Sequence, residues 1–203
     1  MSLGINSNED IVEKINEILN NKKDCVINIV NDKLTLSVFS LLEKNLKNVR
    51  EINFIIRNTK YIPKQSEISK EFDISGSAKD MLFNSYDIVE KNKLQHFKKA
   101  KNMYEFIKKH VNVKKVKKGI SIGSNIIIID EDFMIQGSSS LELSSKATNK
   151  RSINFDTVIN SSMDKNQIIN AKNTFNKIWF GENITEDFKN ELLKSLSYVY
   201  KDH

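Results

Sequence analysis

One stretch decides the fold: Ile120-Ser-Ile-Gly-Ser-Asn-Ile-Ile-Ile-Ile-Asp130, followed by Glu131-Asp-Phe-Met-Ile-Gln-Gly-Ser-Ser-Ser-Leu141. Four consecutive isoleucines end at an aspartate, and a second apolar run ends in glycine and three serines. Short β-branched runs that are bounded by turn residues are typical of buried strands. The stretch therefore predicts a strand, a turn at Glu131-Asp132, a second strand and a loop of small residues.

Outward from this pair, the chain alternates between strand and helix patterns. Apolar runs at 25–30 and 51–56 flank a helical pattern at 34–46, which is the signature of a βαβ unit. Further helices are predicted at 98–111 and 166–180, and Thr185 is expected to cap a last one. We predict an α/β fold with a mixed sheet of six or seven strands flanked by helices. We expect one domain over 1–162 and a C-terminal helical pair over 163–203, with a long excursion at 57–93.

Composition excludes several classes of protein. The single cysteine, Cys25, excludes an internal disulfide framework and a cysteine-based zinc site. No apolar run is long enough to span a membrane, so no membrane partner is expected. We expect a cytoplasmic protein without a metal or another cofactor. The net charge of +6 permits nucleic-acid binding without requiring it.

The focal stretch resembles the motif of the phospholipase D superfamily, which runs His-x-Lys, four residues, Asp, six residues, Gly-Ser-x-Asn. With Asp130 as the anchor, Gly137 and Ser138 fall at the family's spacing. The resemblance implies a phospholipase D-like fold. Asp156, in Asn154-Phe-Asp156, matches an acidic position that often follows the motif, with aspartate in place of glutamate.

Three residues at motif positions differ from those of the family. Gly123 stands at the histidine position, Asn125 at the lysine position and Ser140 at the final asparagine. In the family the histidine attacks phosphorus, while the lysine and asparagine orient the phosphoryl oxygens. Glycine has no nucleophile and asparagine carries no charge, so the covalent route lacks its first step. We therefore predict a degenerate motif and a domain that is not an enzyme.

A second resemblance concerns the C-terminal helices. The Phe175–Trp179 segment and the acidic helix start after it resemble the connection that follows phospholipase D-like domains at the N-terminus of bacterial Swi/Snf-family helicases. In that family a Gly-Ser-Ser-Asn-Leu step stands where this chain has Gly137–Leu141. The resemblance implies an accessory domain of an ATP-dependent helicase whose core lies beyond His203. No Gly-x-x-x-x-Gly-Lys-Ser/Thr loop occurs in these residues.

Basic residues cluster before and after the motif and are candidates for binding DNA phosphates. The candidates are Lys98, Lys101, Lys108, Lys114, Lys115, Lys117, Lys118, Lys150 and Arg151. The alternative interpretation is a solvated face in a lysine-rich protein. Two further functions stay open: a protein-interaction or dimerisation module, and a homodimeric phosphodiesterase or nuclease that joins two motif copies.

Overall fold

The computed structural model describes residues 4–5, 8–57, 94–141 and 155–201. In this part of the chain, eight strands form one sheet and five helices pack on it. The strands are β1 (Gly4–Ile5), β2 (Cys25–Asn31), β3 (Val49–Ile56), β4 (Val111–Val116), β5 (Asn125–Ile129), β6 (Phe133–Gly137), β7 (Asp156–Asn160) and β8 (Thr185–Asp187). The helices are α1 (Asn8–Asn20), α2 (Leu36–Leu46), α3 (Leu94–His110), α4 (Ser161–Phe180) and α5 (Lys189–Lys201). The predicted α/β class, a mixed sheet flanked by helices, is confirmed.

The strand order is β1-β7-β6-β5-β2-β3-β4-β8. Strands β2, β3 and β4 are parallel, as the βαβ pattern predicts, and all other neighbours are antiparallel. The carboxyl ends of β2, β3 and β4 therefore meet at one edge of the sheet. The first residues of β5 and β7 and the last residue of β6 lie at the same edge, which we call the carboxyl edge.

Two apolar cores lie on opposite faces of the sheet. The larger core is formed with α1, α2, α3 and α5, and it includes the fully buried rings of Phe39, Phe54 and Phe188. The smaller core is formed with α4, through Ile168 and Phe175. Both C-terminal helices are thus part of the packing around the sheet.

Thr185 does not cap the last helix, which corrects the sequence prediction. Thr185–Asp187 forms strand β8, which pairs antiparallel with the end of β4. Helix α5 begins four residues later than Thr185, at Lys189, whose backbone N–H donates to the Asp187 carboxylate at 2.9 Å. The acidic residues Glu186 and Asp187, whose pattern is typical of a helix start, thus belong to an edge strand. The predicted excursion at 57–93 lies outside the described residues beyond Arg57.

A row of three asparagines crosses the parallel strands on the face that α4 covers in part. Asn28 lies opposite Asn53, and Asn53 lies opposite Asn112. The Asn53 amide donates to Asn28 Oδ1 at 3.2 Å, and the Asn112 amide donates to Asn53 Oδ1 at 3.1 Å. Because a slip of one residue sends every side chain to the other face, this row favours a single register.

We expect Asn53→Ala to lower the free energy of unfolding by about 1–3 kcal/mol, because it removes both hydrogen bonds of the row and strips the buried Asn28 oxygen of its donor. Urea denaturation followed by circular dichroism measures the change. Asn173→Ala, on the exposed face of α4, is the control and should stay within about 0.5 kcal/mol. Equal effects of the two variants would contradict a role for the row.

Candidate functional site

Four positions form a polar row across adjacent strands at the carboxyl edge. Asn31 ends β2 and Asn125 begins β5, beside it. Asn125 lies opposite Gly137 of β6, and Gly137 lies opposite Asp156 of β7. The alternation of strands turns all four toward the larger core. The residues Asn31, Asn125 and Asp156 are 0%, 3% and 3% exposed, so each side chain needs hydrogen-bond partners inside the protein.

Ser139 supplies those partners from the loop that follows β6. Its carbonyl accepts from Asn125 Nδ2 at 2.8 Å and from Asn31 Nδ2 at 3.3 Å. Its backbone N–H donates to Asp156 Oδ1 at 3.1 Å, and its hydroxyl donates to Asp156 Oδ2. Ser139 itself is fully buried. One loop residue thus joins β2, β5 and β7 on the core face of the sheet.

The same loop is tied to helix α2. Asn31 Oδ1 accepts from the backbone N–H groups of Leu141 and Lys33, both at 3.2 Å. The Leu141 carbonyl accepts from the backbone N–H of Thr35, the N-cap of α2, at 3.2 Å. The loop 137–141 therefore covers the larger core at the carboxyl edge, between the sheet and the start of α2.

Gly137 is required by this closure. A Cβ at this position would lie 2.0 Å from Asp156 Oδ1 and 2.3 Å from the Phe155 carbonyl. The absent side chain gives the Asp156 carboxylate its space. Gly123 is different, because a Cβ there would meet no atom of the described residues within 4 Å. Packing therefore requires a glycine at position 137 but not at position 123.

We expect Gly137→Ala to destabilise the fold by about 1–3 kcal/mol, because the new methyl group overlaps a buried carboxylate and a backbone carbonyl. Gly123→Ala is the matched control and should unfold at the same temperature as the parent within a few degrees. Thermal melting of both variants measures the difference. A tolerated alanine at position 137 would contradict the packing described for Asp156.

The structure separates the residues of the motif. Gly123, Asn125, Gly137, Ser138 and Ser140 lie at the carboxyl edge. Gly123 and Ser138 are exposed, Ser140 is half-buried and Asn125 is buried. The Ser138 hydroxyl accepts from the backbone N–H of Phe155 at 3.2 Å.

Asp130 lies at the opposite edge of the sheet, at the far end of β5. Five residue steps of about 3.3 Å each separate it from Asn125. Its φ of 52° begins the turn between β5 and β6, and its Oδ1 accepts from the backbone N–H of Val26 at 2.9 Å. Asp130 thus holds the turn to the start of β2.

Lys22 completes that contact by pairing with two carboxylates. Its ammonium donates to Asp130 Oδ2 at 3.2 Å and also to Asp132. Burial acts to lower the pKa of Lys22, but the hydrogen bonds to Asp132 and Asp130 outweigh it and raise the pKa above its usual value. The motif aspartate therefore has a structural partner rather than a place in the polar row.

The structure also separates the basic candidates. Lys98, Lys101 and Lys108 are exposed along α3, and Lys118 is exposed after β4. Lys150 and Arg151 lie outside the described residues.

Three other candidates are bonded within the chain. Lys114 donates to the Trp179 carbonyl at 2.7 Å and lies 5.0 Å from the centre of the Trp179 ring. Lys115 pairs with Glu186 at 3.3 Å and with Glu191 at 3.7 Å. Lys117 donates to the Glu182 carbonyl at 2.6 Å. These lysines hold the C-terminal segment against β4.

Ser139 and Asn31 are central to the polar row, and the sequence prediction missed both. Ser139 occupies the variable position of Gly-Ser-x-Asn, so the motif gave no reason to choose it. Asn31 carried a usable signal, since it directly follows the apolar run of a parallel strand, where binding residues collect in α/β sheets. Asp156, expected from the resemblance, is in the row.

We expect Ser139→Ala to cost about 1.5–3 kcal/mol of stability, because its hydroxyl bonds a buried carboxylate. Ser140→Ala, at the family's asparagine position, should change stability by less than about 0.5 kcal/mol. Guanidinium denaturation compares the two. A larger loss at Ser140 would show that the wrong serine has been placed at the centre of the row.

Within the described ranges, no helix combines the length and apolar character needed to cross a bilayer. The same residues contain no group of three or more histidine, cysteine, aspartate or glutamate side chains arranged to hold a metal ion.

No family model matches the sequence, and the search of curated proteins found no relative. Solved structures do show similarity. NucT from Helicobacter pylori has a TM-score of 0.48 at 12% identity, with 91% of this chain and 97% of that chain covered. Phosphatidylserine synthase from Haemophilus influenzae Rd KW20 has a TM-score of 0.47 at 12% identity, with 98% of this chain and 43% of that chain covered. At these values the likeness is one of overall arrangement.

Proposed function

We propose that this chain is a phospholipase D-like domain without catalytic activity, which binds DNA or regulates a larger protein. The observation that carries the proposal is which residues occupy the motif positions and how they are bonded. Gly123 offers no side chain, and Asn125 is buried with its amide donating to the carbonyls of Ser139 and Ser138 at 2.8 and 3.4 Å. Position 123 therefore offers no group to a phosphate, and the amide donor of Asn125 is already bonded within the chain.

Phosphodiester cleavage at this place would need a nucleophile and a stabiliser of negative charge. His96 and His110 are upstream histidines of α3, and His110 Nδ1 contacts the Arg50 carbonyl at 3.3 Å. Arg50 is the second residue of strand β3, at the edge opposite the carboxyl edge. His110 is therefore remote from Gly123, and the Asp156 carboxylate is engaged by Ser139. We therefore expect the chemistry of the motif to lack its first step.

DNA binding is best assigned to α3. Lys98, Lys101 and Lys108, together with Lys109, recur at helical spacing and are exposed. Glu105 is the acidic residue within this stripe. Exposed lysines on one helix face can contact successive phosphates, which gives binding that does not depend on base sequence.

The wider context in this proposal is an N-terminal accessory domain of a Swi/Snf-type ATP-dependent helicase. The resemblance of the C-terminal segment to that family supports it. The coding sequence downstream of this chain is the test: a helicase core supports the proposal, and a stop codon directly after His203 contradicts it.

The activity is tested with bis(p-nitrophenyl) phosphate and with single-stranded DNA, in the presence and absence of a metal chelator. The unmodified chain should give no turnover above buffer, because it lacks the nucleophile. The variant Gly123→His/Asn125→Lys is the comparison that restores both lost groups. A cleavage activity that co-purifies with the unmodified chain would overturn the proposal and favour the homodimeric phosphodiesterase.

DNA binding is tested by fluorescence anisotropy with a labelled duplex at several salt concentrations. Lys101→Ala/Lys108→Ala should reduce the slope of log K against log salt by roughly 2, because each lost phosphate contact contributes about 0.9. Lys165→Ala/Lys177→Ala removes the same charge from exposed positions on α4 and is the matched control. Equal loss in both variants would indicate a net-charge effect. Absence of binding at low salt would favour a protein-interaction module, which light scattering would then examine for self-association.

A further inference from the structure

An exposed aromatic ring stands at the end of α4. Phe180 is 74% exposed, although it directly follows Trp179, which is half-buried and stacks on the buried Phe175 at 5.7 Å between ring centres. Across residues 8–57, 94–141 and 155–201, no ring pair or cation–π contact involves Phe180. Burial of an aromatic side chain stabilises a fold, and this ring gives up that stabilisation. The ring is therefore available to a partner.

Lysines from β4 and the turn after it lie around this helix end. Lys114 donates at 2.7 Å to the carbonyl of the residue before Phe180. Lys117 donates at 2.6 Å to the carbonyl of Glu182, two residues after Phe180. Lys118 comes next in the chain and is exposed. These contacts bring positive charge to the backbone on both sides of the ring.

The electrostatics of this surface favour an anion. Glu182 is the acidic residue of the segment that joins α4 to β8, and it lies among the three lysines. Glu186, the next acid along the chain, pairs with Lys115 at 3.3 Å. Carbonyl groups at the end of a helix repel anions, but here lysine ammonium groups bond the carbonyls on each side of Phe180. Each of these bonds uses one of the three N–H donors of an ammonium group.

We propose that Phe180, Lys117 and Lys118 form a binding site for single-stranded nucleic acid. An unpaired base has a flat π-face that can stack on the exposed ring, while the phosphates on either side of it contact the lysines. In a duplex the bases stack on one another and leave no face for the ring. The proposal goes beyond duplex binding by α3, which packs on the other face of the sheet from α4.

Fluorescence anisotropy with a labelled oligothymidylate and with an abasic oligonucleotide of the same length tests the inference. The two strands carry the same phosphates, but only the first carries bases. The parent should bind oligothymidylate roughly 5- to 100-fold more tightly, because stacking of one base contributes a factor of this size. Phe180→Ala should bind oligothymidylate no more tightly than the abasic strand. Phe180→Tyr keeps an aromatic face and should retain the affinity of the parent.

Phe155→Ala is the matched control, because Phe155 is 78% exposed and lies before β7, which four strands separate from β4. This variant should bind both oligonucleotides as the parent does. Equal affinity of the parent for the two strands, or an unchanged affinity in Phe180→Ala, would overturn the proposal. Polyglutamate that displaces the labelled strand as efficiently as unlabelled oligothymidylate would also overturn it, and would indicate a surface for acidic peptides.

The fluorescence of Trp179, the one tryptophan of the chain, gives a second readout beside the proposed site. Oligothymidylate should quench it saturably in the parent and in Lys101→Ala/Lys108→Ala, but not in Phe180→Ala. Absence of quenching in the parent, unchanged quenching in Phe180→Ala, or its loss in the α3 variant would contradict a separate site. Duplex binding by α3 is measured with its own variant, so the failure of one proposal is distinguishable from the failure of the other.

Discussion

The contact between Ser139 and Asp156 is the constraint on which the carboxyl edge depends. A buried carboxylate is tolerated only where donors surround it, and Ser139 provides two of them from one residue. The contact holds the loop after β6 over the core, and the carbonyl of the same serine then reaches Asn125 and Asn31. Strands β2, β5 and β7 share one polar centre as a result. The space for this centre exists because Gly137 has no side chain.

This arrangement gives several positions of the motif a role in the fold. The retained positions serve the fold: Gly137 makes room for Asp156, and Asp130 ties a turn to β2 through Val26 and Lys22. The positions that depart from the motif are Gly123, Asn125 and Ser140. Packing alone accounts for Gly137 and Asp130, so the spacing of the motif is evidence about architecture and is not by itself evidence of activity.

Much of the fold could be predicted from hydrophobic pattern, because runs such as Ile126–Ile129 and Cys25–Val30 have few alternatives to a buried strand. Strand β8 could not be predicted, since Thr185–Asp187 reads locally as a helix start and pairs with β4 only through tertiary contacts. The site was predicted in part. Spacing located Asn125 and Gly137, but the role of Ser139 depends on how a loop folds back over four strands, which periodicity does not encode.

A double-mutant cycle on Ser139 and Asp156 tests the central claim most directly. The free energy of unfolding would be measured for the parent, Ser139→Ala, Asp156→Asn and the double variant. If the two residues form the buried centre described here, the cycle should give a coupling energy of about 1–3 kcal/mol. Effects that add to within about 0.3 kcal/mol would show that the two residues act independently, and would contradict the account.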